Sequence, residues 1–359
     1  MEAKGAVDTL KRELSERSAL HWMQLASAQL DCELMSEAEV AEMRRAIEDE
    51  LKKLDAKVTD AEENLGESEV RDALEKRLDF FLRIGDREQA VAAYERTLAA
   101  TVGVGQKLDL VLHMIRFGLA LRDFAFTSKY ITIAKEMVEK GGDWERRNRL
   151  RVYEATHLMA VRQFKPASAL FLEALATFSA SELFDYKQFV RYTVLICMHT
   201  VDRPTLKEKV SNAPEVLSVI LEMPTMRAFV EALVKCDYRT YMAQLPDVLQ
   251  AVSKEYYLST HTMFIGRELR VAAYSQFLAS YLSVKLEAMG VAFGVGSEFL
   301  DAELTRFIAA GRLSCKIDKV NGVVETARPE ARHSIYESTI KQGDILLNRV
   351  QKLSRVIDI

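Results

Sequence analysis

Apolar residues fall at helical spacing through most of this chain, and the period drops to two only near the end. From Ser36 to Asn64, the residues Val40, Met43, Ile47, Leu51, Leu54 and Val58, with Leu65 just beyond, make one narrow stripe on a charged surface. Ser36 followed by Glu39 is a capping box that opens it. The stripe predicts one long helix lying along its own domain, with a coiled-coil seam as the alternative. From Ser68 to Phe178 helical patterns come in pairs. Gly85 to Leu98, Ser128 to Lys140 and Phe164 to Phe178 recur at about 40 residues. Ala93, Ala134 and Ala174 sit at equivalent positions, where one helix can approach the next closely.

Such units cannot bury their apolar faces alone, so the pattern predicts a degenerate tetratricopeptide-like array, with generic helical hairpins as the alternative. Gly141-Gly142 is expected to end one helix and Asp143 to cap the next. Between Phe184 and Arg270 the helices continue, and Pro204, Pro214, Pro224 and Pro246 are each expected at a turn or a first helical position. The aromatics there (Phe184, Tyr186, Phe189, Tyr192, Tyr238, Tyr241, Tyr256, Tyr257) read as packing between hairpins, with no cofactor box among them.

The switch of period carries the most information. Arg267 to Ser283 and Val284 to Phe293 hold two helical patterns, and Leu300, Leu304 and Phe307 a third. Ser297 can cap that third helix, and Gly311 can end it in the left-handed conformation. Then Leu313, Cys315 and Ile317 point one way, and Ser314, Lys316 and Asp318 the other. Asn321-Gly322 between Val320 and Val323 signals a two-residue hairpin, with a second strand from Val323 to Arg328 that stops at Pro329. Three helices and a hairpin are the order of a winged helix. A last helix, Ile335 to Ile359, carries Leu346, Val350, Leu353 and Ile357 in a heptad seam, widened by Ile340 and Leu347. Lys341, Asp344, Asn348, Lys352 and Arg355 hold its other side. A helix of this length must dock, either on its own winged helix or in a bundle of others.

Composition narrows the class. The 359 residues are 49% hydrophobic and 28% charged, with only 6 prolines and 15 glycines, which favours long helices. A net charge of -4 promises neither a nucleic-acid nor an acidic-membrane partner. Cys32, Cys197, Cys236 and Cys315 are scattered without a C-x-x-C pair, which argues against a disulfide scaffold or zinc knuckle and fits a reducing compartment. The N-terminus lacks the apolar core of a signal peptide, and no apolar run is long enough to span a membrane.

No constellation for catalysis emerges. The six histidines (His21, His113, His157, His199, His261, His333) form no H-x-H or H-E-x-x-H pair. His113 and His157 read as hydrogen-bonded core residues. Gly103-Val104-Gly105 and Gly294-Val295-Gly296 follow no strand, so they read as interhelical turns rather than phosphate loops. Neither a metal nor a cofactor is expected. Arg146, Arg147, Arg149 and Arg151 are the densest basic cluster, either a solvated face or a contact with an acidic partner. A DNA-reading winged helix needs positive charge on its third helix. This one carries Glu298, Asp301 and Glu303 against Arg306, so pairing with proteins is the better reading. The hairpin itself is only mildly basic, with Arg312, Lys316, Lys319 and Arg328 against Asp318 and Glu325.

The runs Phe307 to Thr326 and Gly343 to Ile357 closely resemble the proteasome-lid branch of the PCI family. Asp49 to Leu74 and Gly141 to Ala155 resemble it too, and the likeness extends from about Trp22 onward. Members of that branch carry a further N-terminal helical segment, ahead of where this sequence begins. The resemblance implies a non-catalytic scaffold: N-terminal helices over residues 1–67, repeats over 68–183, a PCI module over 184–330 and a bundle helix over 331–359. Within the PCI module, residues 184–266 are helical and 267–330 form the winged helix. It also implies a cytoplasmic and nuclear hetero-oligomer with other PCI subunits, with the ATPase ring as a further contact. Lys316, Ile317, Val323, Val324 and Thr326 are then candidates for lateral pairing. Ile340, Leu346, Leu347, Val350, Leu353 and Ile357 are candidates for bundling, and Arg146 and Arg147 for an acidic neighbour. The rival readings are a PCI subunit of the signalosome or of translation initiation factor three, and a nucleic-acid-binding winged helix.

Overall fold

The computed structural model describes residues 2–30, 34–141, 143–326 and 331–357, so Gly142, Arg328 and Pro329 lie outside the described residues. Two compact units are present. The first holds the described residues up to His157 together with Thr177–Leu183, and the second holds Leu158–Ala176 and the described residues from Phe184. The helix pair expected around Phe164 therefore belongs to the second unit, where Phe171 meets Phe189 at 5.6 Å.

In the first unit, α1 (Glu2–Glu16) and α2 (Leu20–Leu30) lead into α3 (Glu37–Asn64). Both hydrogen bonds of the Ser36/Glu39 capping box form. Val40, Met43 and Ile47 of α3 join Leu20, Met23 and Leu34 in one apolar cluster, so its stripe is spent within its own domain. The helix then packs on α4 (Glu67–Ile84), tied by Arg77–Asp55 at 2.8 Å and Arg83–Glu50 at 2.6 Å. Next come α5 (Arg87–Ala100), α6 (Val104–Leu121), α7 (Phe124–Gly141) and α8 (Trp144–Ala160), the last running into the second unit. Ala93 and Ala134 are buried in the first unit, and Ala174 in the second.

The second unit continues with α9 (Phe164–Ala174), α10 (Tyr186–Thr200), α11 (Arg203–Leu206), α12 (Pro214–Ile220), α13 (Pro224–Lys235) and α14 (Tyr238–Ser253). Pro204, Pro214 and Pro224 occupy first turns as expected. Pro246 does not: it lies inside α14, where buried Leu245 and Val248 hold the helix through the missing donor. The aromatics pack element on element, as in Tyr192–Tyr257 at 6.4 Å, Tyr238–Phe277 at 5.4 Å and the stacked Phe229–Tyr241 pair of α13 and α14 at 4.3 Å.

Four interhelical turns share one construction. Gly85, Arg122, Arg162 and Cys236 take positive φ of 91, 56, 69 and 61°, and each ends a helix in the left-handed conformation. The next residue's N–H reaches back to a carbonyl of the preceding turn, at 3.3 Å for Asp86, 3.0 Å for Asp123 and 2.8 Å for Gln163 and Asp237. Asp86, Asp123 and Asp237 then cap the following helix by accepting from Gln89, Phe126 and Thr240 N–H. One residue closes a helix and its neighbour opens the next.

Three sheltered carboxylates, half-buried Glu182 and buried Glu255 and Glu303, follow a rule as well. Glu182 accepts from Arg149 and from the Tyr153 hydroxyl at 2.9 Å. Glu255 accepts from Arg191 at 2.6 Å and the Tyr192 hydroxyl at 3.0 Å, and Glu303 pairs with Arg270 at 2.8 Å and the Tyr274 hydroxyl at 2.7 Å. Burial pushes all three phenols up, so they stay protonated donors.

Candidate protein-interaction surfaces

The second unit ends in α15 (Thr262–Leu278), β1 (Ser283–Lys285), α16 (Leu286–Phe293), α17 (Ser297–Ala309), β2 (Cys315–Asp318), β3 (Val323–Thr326) and α18 (Ala331–Ile357). Leu300, Leu304 and Phe307 are buried as their spacing requires. Gly311, at φ 67°, ends α17, and Arg312 N–H returns to Phe307 C=O at 2.8 Å. Ser297 is not the cap; Gly296 holds that position, without a side-chain bond. Glu303 does not join the charged face of α17 but turns inward to Arg270.

β1 overturns the expected pair of helices across Ser283 and Val284. The sheet has the order β1-β3-β2, antiparallel throughout, with Val284 opposite Val324 and Ile317 opposite the same Val324. Leu286 N–H donates to Gly322 C=O at 2.8 Å, and Thr326 N–H to Leu282 C=O at 2.9 Å. Antiparallel bonds alternate, so Val324 faces its backbone groups to β1 and Val323 and Glu325 face theirs to β2. On β2 the groups of Cys315 and Ile317 therefore point outward to the free edge.

This corrects the expected joint. Lys316 and Ile317 lie on an edge strand, whereas Val323, Val324 and Thr326 lie on the central one, and Val324 is wholly buried. The Asn-Gly turn is corrected too. Residues 319–322 connect the strands, and only Gly322, at φ 62°, is left-handed, so the two-residue turn cannot form. Asp318 organises the loop by accepting from Asn321 Nδ2 at 2.7 Å, Val320 N–H at 2.9 Å and Asn321 N–H at 3.3 Å, which holds its carboxyl below the usual range. Lys319 ties the loop to Asp301 of α17 at 3.0 Å.

α18 is the second surface. Ile335, Tyr336, Ile340, Leu346, Leu347, Val350 and Leu353 are each 58 to 67% exposed. At 100° per residue they span an arc of roughly 140°. None of them is buried against the winged helix. The side chain of Ile357 lies outside the described residues.

The basic cluster on α8 is mostly spent internally. Arg146 grips Asp109 through contacts of 2.7 to 3.1 Å, Arg149 holds Glu182, and Arg151 donates to Asn148 at 3.1 Å. Arg146 is thus withdrawn from the expected partner contact, and Arg147 alone of the named pair is exposed. The glycine runs sit at helix ends: Gly103 and Gly296 are N-caps, and Gly294 closes α16. His113 and His157 are sheltered, but Nδ1 of each lacks a hydrogen bond, contrary to the expected pairing; His113 Nδ1 lies 3.6 Å from Asp79. Burial lowers the pKa of both. Among the described residues, no cluster of His, Cys, Asp or Glu is placed to hold a metal.

A helical-repeat chain closed by a winged helix whose sheet is open along β2, followed by an undocked helix, defines a PCI-type protein, and the PCI domain model matches residues 245–328. Two further models match: "26S proteasome subunit RPN7" over residues 36–209, and "26S proteasome regulatory subunit RPN7/PSMD6 C-terminal helix" over 336–357. The chain is 51% identical over 320 residues to the 26S proteasome non-ATPase regulatory subunit 6 of Oryza sativa subsp. japonica, covering 89% of this chain and 82% of that protein. The Arabidopsis thaliana homolog of that subunit is 49% identical, covering 93% and 86%. The 26S proteasome regulatory subunit RPN7 of Saccharomyces cerevisiae is 35% identical, covering 88% and 75%. This chain belongs to the RPN7 family of 26S proteasome regulatory subunits.

Proposed function

We propose that this chain is a structural subunit of the lid of the 26S proteasome regulatory particle, working in ubiquitin-dependent protein degradation. The observation that carries the reading is the undocked apolar arc of α18, on the segment that matches the family's C-terminal helix. An arc of roughly 140° is too wide for one partner helix and suits a helix enclosed by at least two others. The open edge of β2 offers backbone donors and acceptors to a neighbouring PCI subunit, which can extend the sheet. Arg147 is available to an acidic neighbour, and the ATPase ring is a further contact on the same reading. The complex is cytoplasmic and nuclear. No described helix is long and apolar enough to cross a membrane. The role is non-catalytic. RPN7 family membership disfavours the signalosome and initiation-factor alternatives, and the acidic face of α17 disfavours DNA.

The test is to tag the chain in its own cells, purify it and identify its partners by mass spectrometry. Other 26S regulatory subunits in stoichiometric amount are expected. Recovery with signalosome or initiation-factor subunits instead would overturn the assignment, and so would turnover of ATP or ubiquitin chains by the chain freed of other subunits.

A further inference from the structure

One patch of the second unit belongs to neither surface described above. Arg162, the left-handed residue between α8 and α9, lays its guanidinium over the Phe264 ring with Cζ 5.0 Å from the centroid. Arg267 approaches the same ring at 6.0 Å. Met263, 82% exposed, lies one turn before Arg267 on α15 and shares its face. Arg162 is held in place: its Nε and Nη2 each lie 3.4 Å from His261 Nδ1, and His261 Nε2 lies 2.8 Å from Ala160 C=O. A guanidinium only donates and a carbonyl only accepts, so Nδ1 is the acceptor and Nε2 carries the proton.

Neither guanidinium forms an ion pair among the described residues, while the adjacent Glu268 is taken by Arg312. Two cations thus share one aromatic ring without a counter-charge. Stacking covers a face of each guanidinium and leaves in-plane N–H groups suited to bidentate carboxylates. We propose that Arg162, Phe264, Arg267 and Met263 form a docking surface for an acidic segment of a partner protein that carries an apolar residue beside its carboxylates. Charge complementarity selects the carboxylates, and Met263 with the half-exposed Val161 selects the apolar residue. Two cations beside an apolar side chain are too few for a nucleic-acid backbone, which is bound by neutralising many phosphates.

The test is fluorescence anisotropy on the full chain with a labelled peptide of alternating Glu and Leu. A Gln and Leu peptide of equal length and a labelled DNA duplex serve as comparisons. The Glu peptide is expected to bind, to weaken as salt rises, and to outcompete both comparisons. Arg162→Gln and Arg267→Gln should each weaken it about tenfold, the loss of one charge-assisted pair. Met263→Asp should abolish binding, and Lys53→Gln, at an exposed cation of α3, should leave it unchanged. Melting curves identify the folded variants. If Arg162→Gln fails to fold, Arg267→Lys decides, since it keeps the charge and loses the planar fork; a several-fold loss is expected. Absent binding of the Glu peptide, equal binding of the Gln peptide, tighter binding of DNA, or indifference to the arginine variants would each overturn the proposal.

Discussion

Changing Leu346 and Leu353 of α18 together to Asp separates a helix that serves partners from one that serves its own chain. The two side chains are 65% and 64% exposed, so docking has about two-thirds of each left to bury. Full burial of a leucine is worth about 1.5–3 kcal/mol, so this remainder amounts to about 1–2 kcal/mol each, or roughly 2–4 for the pair. At tenfold per 1.4 kcal/mol, that weakens assembly by roughly 30- to 700-fold before the cost of burying two carboxylates is added. In the isolated chain the same substitutions touch no core. They cost only helix propensity, about half a kcal/mol each, within a helix that carries no packing.

The isolated double variant is therefore expected to melt within about 2 °C of the parent yet fail to co-elute with partner subunits in a reconstitution on a sizing column. Lys352→Asp, on the opposite face, should co-elute normally. A fall of more than about 5 °C in the isolated chain would mean that the stripe belongs to this chain's own core, since about 1 kcal/mol moves a domain of this size by only a few degrees. Normal co-elution of the double variant would mean that the stripe is not an interface at all.

Three further outcomes are expected. Ile317→Pro removes an outward donor from the free edge of β2 and should cost the lateral neighbour while the isolated chain stays folded; Val324→Pro, on the buried central strand, should instead unfold the winged helix, as limited proteolysis would reveal. Retention of the neighbour by Ile317→Pro would remove β2 as the joint. Gly85→Ala forces a side chain into φ 91° and places Cβ 2.9 Å from the Trp22 ring, so it should destabilise the chain by at least about 1–2 kcal/mol in urea melts, and an unchanged midpoint would refute the turn argument. Burial holds His199 down to about 4, against 6.5 in the unfolded chain, so its contribution is complete above about pH 6.5 and is lost as pH falls toward 4. His199→Phe, packed against Phe164, should therefore gain roughly 3 kcal/mol on the parent across that window, and parallel stability curves would contradict it.

How much of this was legible depended on whether the deciding interaction was local. The capping box of α3 needs only Ser36 and Glu39, and the end of α17 needs only Gly311, so both could be read directly. The alternation from Leu313 to Asp318 gave the correct faces, because one side of β2 meets the core. Failures came where a distant residue decides. Three residues of β1 carry no periodicity of their own, and they become a strand because β3 has a second side to pair. That one addition turned Val324 from an edge residue into a central one. Arg146 looked available until Asp109, from another helix, took it, and Glu303 looked like surface charge until Arg270 and Tyr274 enclosed it. Arg122 and Arg162 in the left-handed conformation gave no signal at all, since glycine is the usual residue there.

The distribution of unmet interactions is itself an argument about partners. Glu182, Glu255 and Glu303 are each answered by an arginine and a tyrosine inside their own unit, at the cost of fixing several long side chains. These three carboxylates are thus answered from within the chain. Yet Cys315 and Ile317 present an unpaired sheet edge, and α18 presents an apolar arc to solvent from Ile335 to Leu353. Edges invite pairing, and apolar patches of this kind mark association sites. The two also differ in what they ask of a partner. The edge needs only a backbone in register, so its specificity must come from the side chains beside it, such as Lys316. The arc needs matched apolar stripes from more than one helix, which only a defined set of subunits can supply together. The strand is therefore suited to a single lateral neighbour, and the helix to a set of apolar helices.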